Sequence, residues 1–156
     1  MPSQQFHAPE SVEQASALLA ANPQARVLAG GTDLIVQMRS RRFVPSDVID
    51  IKRIAGISGV RAEGGGFVIG AATPCTALKD NKALAAAWPG LVEAANLIGS
   101  VQVRNRATMA GNLCNASPAA DSVPALVAAG ATCVVVGAGG SREIPVEAVT
   151  TGPGKT

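Results

Sequence analysis

The spacing of apolar positions along the first fifty residues switches between two periods, and each switch marks an element. Ser11 followed by Glu13 and Gln14 has the pattern of a capped helix start. Ala15, Leu18 and Leu19 then give that helix an apolar stripe until Asn22-Pro23 stops it. Ala25 to Ala29 reads as a short strand, Gly30-Gly31 as its exit, Asp33 to Arg39 as a helix bearing Leu34, Ile35 and Met38, and Val48 to Ile51 as the next strand. Strands and helices in alternation imply parallel pairing, so residues 1–55 are expected to form a small α/β lobe.

After Gly56 the pattern changes. Ile57 to Ala62 and Phe67 to Ala71 are apolar runs flanking Glu63-Gly64-Gly65-Gly66, a hairpin signal. Helices are expected from about Pro74 to Ala87 and from Pro89 to Ile98, then a polar loop from Gly99 to Ala107 and a second long loop ending at Asp121. Asp121 to Ala129 fits a helix with Pro124 in its first turn, where a missing donor does little harm. Ala131 to Val136 and Arg142 to Ile144 flank Gly137-Ala138-Gly139-Gly140, a second hairpin. The expected fold is therefore α+β and two-lobed, the larger lobe at residues 56–156 having a mainly antiparallel sheet with flanking helices. No internal repeat or low-complexity linker interrupts it.

Composition narrows the function classes. Hydrophobic residues make up 47% of the 156 and charged residues 15%, values that suit a well-buried globular chain. The apolar stretch Leu126 to Ala138 is broken by Gly130 and Thr132 and is too short to cross a bilayer. Ser3, Gln4 and Gln5 at the N-terminus do not have the form of a signal peptide. The net charge of +2 is dispersed apart from Arg39, Arg41 and Arg42, and aromatics are only 3% with no tyrosine, so nucleobases find little to stack on. Cys75, Cys114 and Cys133 have no metal-ligand spacing and point to buried free thiols in a reducing, cytoplasmic setting.

Two segments carry candidate chemistry. Val27-Leu28-Ala29-Gly30-Gly31-Thr32-Asp33-Leu34 and Thr108-Met109-Ala110-Gly111-Asn112, the latter continuing through Asn115-Ala116-Ser117-Pro118 to Asp121, each place glycine and short polar side chains where a helix begins. A phosphate needs many donors at close range without side chains in the way, which such turns supply. Two of them suggest a dinucleotide. The competing reading of Gly30-Gly31 is a plain strand-to-helix turn that needs glycine for geometry. Asp121 has two readings as well, an acceptor for ribose hydroxyls or the cap of the following helix. Arg104 and Arg106 approach Thr108 and are either solvated, paired, or in reach of an anion. His7, the only histidine, is remote from Cys114, so a cysteine-histidine nucleophile has no support.

Taken together and in this order, the two segments resemble the FAD-binding subunit or domain of the molybdopterin dehydrogenases, the family of xanthine dehydrogenase, carbon monoxide dehydrogenase and 4-hydroxybenzoyl-CoA reductase. The resemblance runs through Ile69-Gly70-Ala71-Ala72-Thr73 to Thr151-Gly152-Pro153-Gly154-Lys155-Thr156. It implies FAD as cofactor, with Val27 to Leu34 and Thr108 to Asn112 along its pyrophosphate, Asp121 near the adenosine ribose, and Ile98 where some members carry an aromatic residue beside the flavin ring. The second loop departs from the family in having Ala110-Gly111 in place of two adjacent glycines. The terminal segment leads in the family into a further C-terminal domain, which the resemblance leads one to expect missing here.

The same resemblance implies an electron-transfer subunit rather than a substrate-oxidising one. Its partners would be a large molybdenum-cofactor subunit and a small iron-sulfur subunit, and its electrons would go to NAD, a quinone or another acceptor. No acid-base constellation is needed, because a flavin carries the difficult chemistry, and no cysteine cluster here could ligate iron. Two alternatives stand beside it. One is a stand-alone flavin reductase of the same broad fold, related to UDP-N-acetylenolpyruvoylglucosamine reductase, which would need a substrate domain. The other is a truncated, non-catalytic interaction fragment.

Overall fold

The computed structural model describes residues 4–156. The chain opens with a strand that the sequence pattern does not reveal, β1 (Gln5–His7), followed by helix α1 (Val12–Ala21), β2 (Arg26–Leu28), helix α2 (Leu34–Arg39) and β3 (Asp47–Asp50). The three strands form one parallel sheet in the order β1-β3-β2. β1 escapes a period-2 reading because it has only three residues, with Phe6 exposed. Ser11 caps α1 by accepting the Gln14 N–H at 3.2 Å, and Gln14 Oε1 accepts the Glu10 N–H at 3.0 Å in return.

Ala15 of α1 and Ile49 of β3 meet Ala25, Ile51, Ile54 and Ala72 in a first apolar core. A polar tie fastens the outer strand to it. His7 Nε2 lies 2.7 Å from Asp47 Oδ1, and Asn22, at the C-terminal end of α1, donates to Asp47 and to Ser46 Oγ.

The remaining elements are antiparallel hairpins and short helices. β4 (Val60–Glu63) pairs with β5 (Gly66–Ile69), and β6 (Thr132–Gly137) with β7 (Gly140–Pro145). Between them run α3 (Cys75–Asp80), α4 (Lys82–Ala87), α5 (Pro89–Leu97), α6 (Val101–Arg104), α7 (Met109–Asn115) and α8 (Val123–Ala128). A second core gathers Cys75, Leu78, Leu84, Val92, Ala95 and Ala107. The sheets are separate two-stranded ribbons, whose inner faces depend on these helices for burial. Ile57, Ala71 and Ala72, although beyond residue 55, pack with the first core, and β6 lies against α1.

Three expectations are corrected. The helix read from Pro74 to Ala87 is two helices, because Asn81 leaves the helical conformation and its Oδ1 accepts the Leu84 N–H at 2.9 Å, capping α4. Such side-chain capping competes with helix continuation. The loop read from Gly99 to Ala107 contains α6, started by Ser100 accepting the Val103 N–H. The first part of the loop read from Thr108 to Asp121 is α7, which the glycine, asparagine and cysteine in it disguise, since they are weak helix formers.

Leu78 has no solvent exposure. Leu78→Ala is expected to cost about 2–5 kcal/mol in denaturant unfolding through the cavity it leaves. The His7 hydrogen bond holds the Asp47 carboxyl below its usual range. A carboxyl depressed in the folded state stabilises above its unfolded value, and that contribution disappears as pH falls through the folded one. Thermal melts should show wild type ahead of Asp47→Asn near neutral pH, with the gap closing in acid.

Candidate functional site

The first glycine turn leaves the central sheet at the C-terminal end of β2, the side on which parallel α/β units bind ligands. Leu28 is buried, Val27 is exposed, and Ala29 leads into the turn. Lys52 Nζ donates to the Ala29 carbonyl at 3.0 Å while pairing with Asp50 Oδ1 at 2.6 Å, so the start of the turn is held from the next strand. Gly31 has φ +82°, a conformation that costs other residues. Among the described residues, no acceptor engages the backbone N–H groups of Gly30, Gly31, Thr32, Asp33 or Leu34. Five successive donors on a turn that enters α2 form an array suited to an anion.

Gly30 has a second reason to be glycine. A Cβ there would lie 2.0 Å from the Arg106 carbonyl oxygen and 3.1 Å from Ala107 Cα. The first turn is therefore pressed against the backbone that leads directly into Thr108. Two segments 78 residues apart, judged by the Gln37–Asn115 pair that also joins them, become one surface.

Thr108 begins α7 and is buried, its Oγ1 accepting the Gly111 N–H at 2.9 Å. Its hydroxyl hydrogen remains available to donate. A Cβ on Gly111 would lie 2.8 Å from that same Oγ1, so the cap itself requires the glycine. Met109 turns into the second core, and Ala110 beside it is half-buried. Asn112 Oδ1 accepts from both the N–H (3.2 Å) and the Oγ (2.7 Å) of the fully buried Ser122. Only its Nδ2 is left for a ligand.

Other candidates are placed differently from expectation. Asp121 is exposed and engages no partner among the described residues; the N-cap position of α8 belongs to Ser122, so the capping reading does not hold. The Ile98 side chain is enclosed in the second core. Arg104 donates to the Ile98 carbonyl at 3.1 Å and the Gly99 carbonyl at 2.7 Å, holding the end of α5, while Arg106 is exposed. Cys75 is buried, and that burial pushes its thiol up to about 11. Cys114 is exposed, however, and Cys133 only half-buried, which corrects the expectation of three buried thiols.

Two residues to which the sequence reading gave no role hold the surroundings of the two segments. Asn115, at the end of α7, donates through Nδ2 to Asp33 Oδ1 at 3.2 Å and accepts from Gln37 Nε2 at 3.1 Å. Although Asp33 is exposed as a residue, its carboxyl is partly desolvated and is raised above its usual range. Lys52 is the other. Neither has a one-dimensional signal, since their partners become neighbours only through the sheet and the packing of the two turns.

The two glycine-bearing segments thus converge on one surface of a module of mixed helices and strands. The family model described as "FAD binding domain in molybdopterin dehydrogenase" matches residues 2–156. The xanthine dehydrogenase FAD-binding subunit of Escherichia coli O157:H7 is 36% identical over 151 residues, covering 96% of this chain and 52% of that protein. The carbon monoxide dehydrogenase medium chain of Hydrogenophaga pseudoflava is 40% identical over 147 residues, covering 94% and 51%. Among solved structures, reconstituted CO dehydrogenase from Oligotropha carboxidovorans superposes with a TM-score of 0.94 at 35% identity, over 100% of this chain and 55% of that one. The chain belongs to the FAD-binding domains of the molybdopterin dehydrogenase family, whose cofactor is FAD, and it spans about half the length of these relatives.

Gly31→Ala is expected to lower unfolding free energy by about 1–2 kcal/mol from its left-handed backbone alone. Gly30→Ala should be the more damaging in the same denaturant titration, because backbone and not a flexible side chain stands in the way. Asn112→Ala should cost about 1–3 kcal/mol by leaving the buried Ser122 hydroxyl without its acceptor, whereas Asp121→Ala should leave the melting temperature unchanged.

Proposed function

We propose that this chain holds FAD as the electron-transfer module of a heteromeric, cytoplasmic molybdenum-containing dehydrogenase. The observation that carries the reading is the run of uncommitted N–H donors from Gly30 to Leu34, set against the segment that opens α7, in a chain of this family. The donors and the absence of side chains at Gly30 and Gly31 fit a pyrophosphate. Residues Val27 to Leu34 and Thr108 to Asn112 would lie along it, the former mainly through backbone amides, the latter through the Thr108 hydroxyl, the Asn112 amide nitrogen and the helix start. Asp121, free of any structural duty, would accept from ribose hydroxyls. Ile98 would act at most from behind, as part of the packed floor.

When bound, FAD supplies the ability to take up electrons singly or in pairs and release them to a two-electron acceptor. This chain's own contribution is to bind, orient and neutralise charge. By the relatives' names as FAD-binding subunits and medium chains, its partners would be a large molybdenum-cofactor subunit and a small iron-sulfur subunit. Electrons from the latter would pass to NAD, a quinone or another acceptor. No observation favours a stand-alone flavin reductase.

The test is a visible absorption spectrum of the purified chain after incubation with FAD and removal of the excess. A flavin spectrum at one equivalent, with FAD and not FMN released on denaturation, is the expected result. A folded chain that takes up no FAD, or that takes up FMN equally well, would sink the reading.

A further inference from the structure

Arg106 is the last exposed residue before the chain turns inward through the buried Ala107, Thr108 and Met109. Its backbone is firmly held. The Arg106 N–H donates to the Val103 carbonyl at 3.0 Å, the Ala107 N–H donates to the same carbonyl at 2.7 Å, and the Ala107 carbonyl accepts from the Cys75 N–H at 2.8 Å. The Arg106 carbonyl oxygen stands so close to Gly30 that a Cβ there would come within 2.0 Å of it. The guanidinium, by contrast, is exposed and makes no hydrogen bond or ion pair among the described residues. A fixed root beside the first turn and an uncommitted charged end make this side chain unlike its neighbours. Lys52 is paired with Asp50 at 2.6 Å, and Arg104 donates to the carbonyls of Ile98 and Gly99. Backbone amides offer an anion only partial charges, and Asp33 adds a carboxyl to the same turn. A pyrophosphate carries charge on both phosphates, and a guanidinium fork matches their oxygens.

We infer that Arg106 is a further cofactor-binding residue, whose guanidinium closes over the FAD pyrophosphate and supplies the full positive charge that the first turn lacks. The inference rests on the FAD reading above. The contact that requires glycine at position 30 brings the root of the Arg106 side chain against the turn, at a distance that an arginine spans. A structural duty for this cation at the C-terminal end of α6 is small, because α6 is a single turn of 4 residues with little dipole to offset. Arg104, in the last turn of that helix, already serves there by holding the carbonyls that precede it.

Titration of the full chain with FAD, followed by flavin fluorescence at low and at high ionic strength, tests it. Arg106→Gln should weaken binding roughly tenfold at low salt, the equilibrium equivalent of one hydrogen bond to a charged group. It should also flatten the salt dependence that the wild-type chain shows, because an exposed ion pair is screened. Arg106→Lys keeps the charge without the fork, so it should retain the salt dependence and recover part of the affinity. The denaturation midpoints of both variants should equal that of wild type, since the side chain bonds to nothing in the fold. ADP, which has the pyrophosphate without the flavin, is the second probe, and as a competitor of FAD it should lose affinity in Arg106→Gln by the same factor. Unchanged FAD affinity in Arg106→Gln overturns the inference. So does a loss that leaves the salt dependence as in wild type, that lysine does not ease, or that spares ADP, because an arginine with a purely structural role gives that pattern. A wild-type chain that takes up no FAD sinks the function proposed above and this inference with it, whereas wild-type uptake equalled by Arg106→Gln sinks the inference alone.

Discussion

The arrangement depends on one close approach, the backbone of Gly30 against the carbonyl of Arg106. Nothing larger than a hydrogen on the Gly30 Cα fits there. That contact brings the exit of a parallel sheet to the start of α7 and makes two glycine-bearing segments a single surface. Around it, four polar side chains have a structural assignment: Lys52 on the Ala29 carbonyl, Thr108 on Gly111, Asn112 on Ser122 and Asn115 on Asp33. The backbone amides of the first turn are conspicuous because they have none.

This division of labour suits a cofactor-binding module. Side chains here position backbone, and the amides of the first turn are left without an acceptor among the described residues, held in place in advance of any ligand in the way that lowers the ordering cost of association. The interior polar groups are satisfied in the same spirit: among the described residues no buried side-chain nitrogen or oxygen lacks a partner. Thr73, almost wholly buried, exchanges two hydrogen bonds with the Gly59 backbone and so holds the start of the second core to the strand region before it.

The helices were the hardest part to read along the chain. α7 is built from Met109-Ala110-Gly111-Asn112-Leu113-Cys114-Asn115, in which only Met109 and Leu113 reach a core, so its amphipathic signal is two residues wide. Its small and amide residues lower intrinsic helicity but make room for the Gly111 cap and for the reach of Asn112 and Asn115. Function and local propensity conflict there, and packing against the second core decides. At Asn81 and Ser100 the opposite happened, with side-chain caps dividing or starting helices where averaged hydrophobicity showed none. β1 is held by pairing with β3 and by the His7–Asp47 bond, both supplied from forty residues away.

By itself the sequence determined the alternation of α1, β2, α2 and β3, both hairpins, the first glycine turn and, through the order of the two glycine-bearing segments, the family. These are local or motif-borne properties, written in spacing, capping residues and turn chemistry. Only the tertiary structure decided that Gly30 meets Arg106, that Asp121 is not a cap, that Ile98 and Met109 face inward, and that Asn115 and Lys52 bond to the first turn and its neighbours. Each of these depends on residues far apart in the chain becoming neighbours, and a hydrogen bond or a steric limit between two such residues leaves no periodicity in the sequence of either.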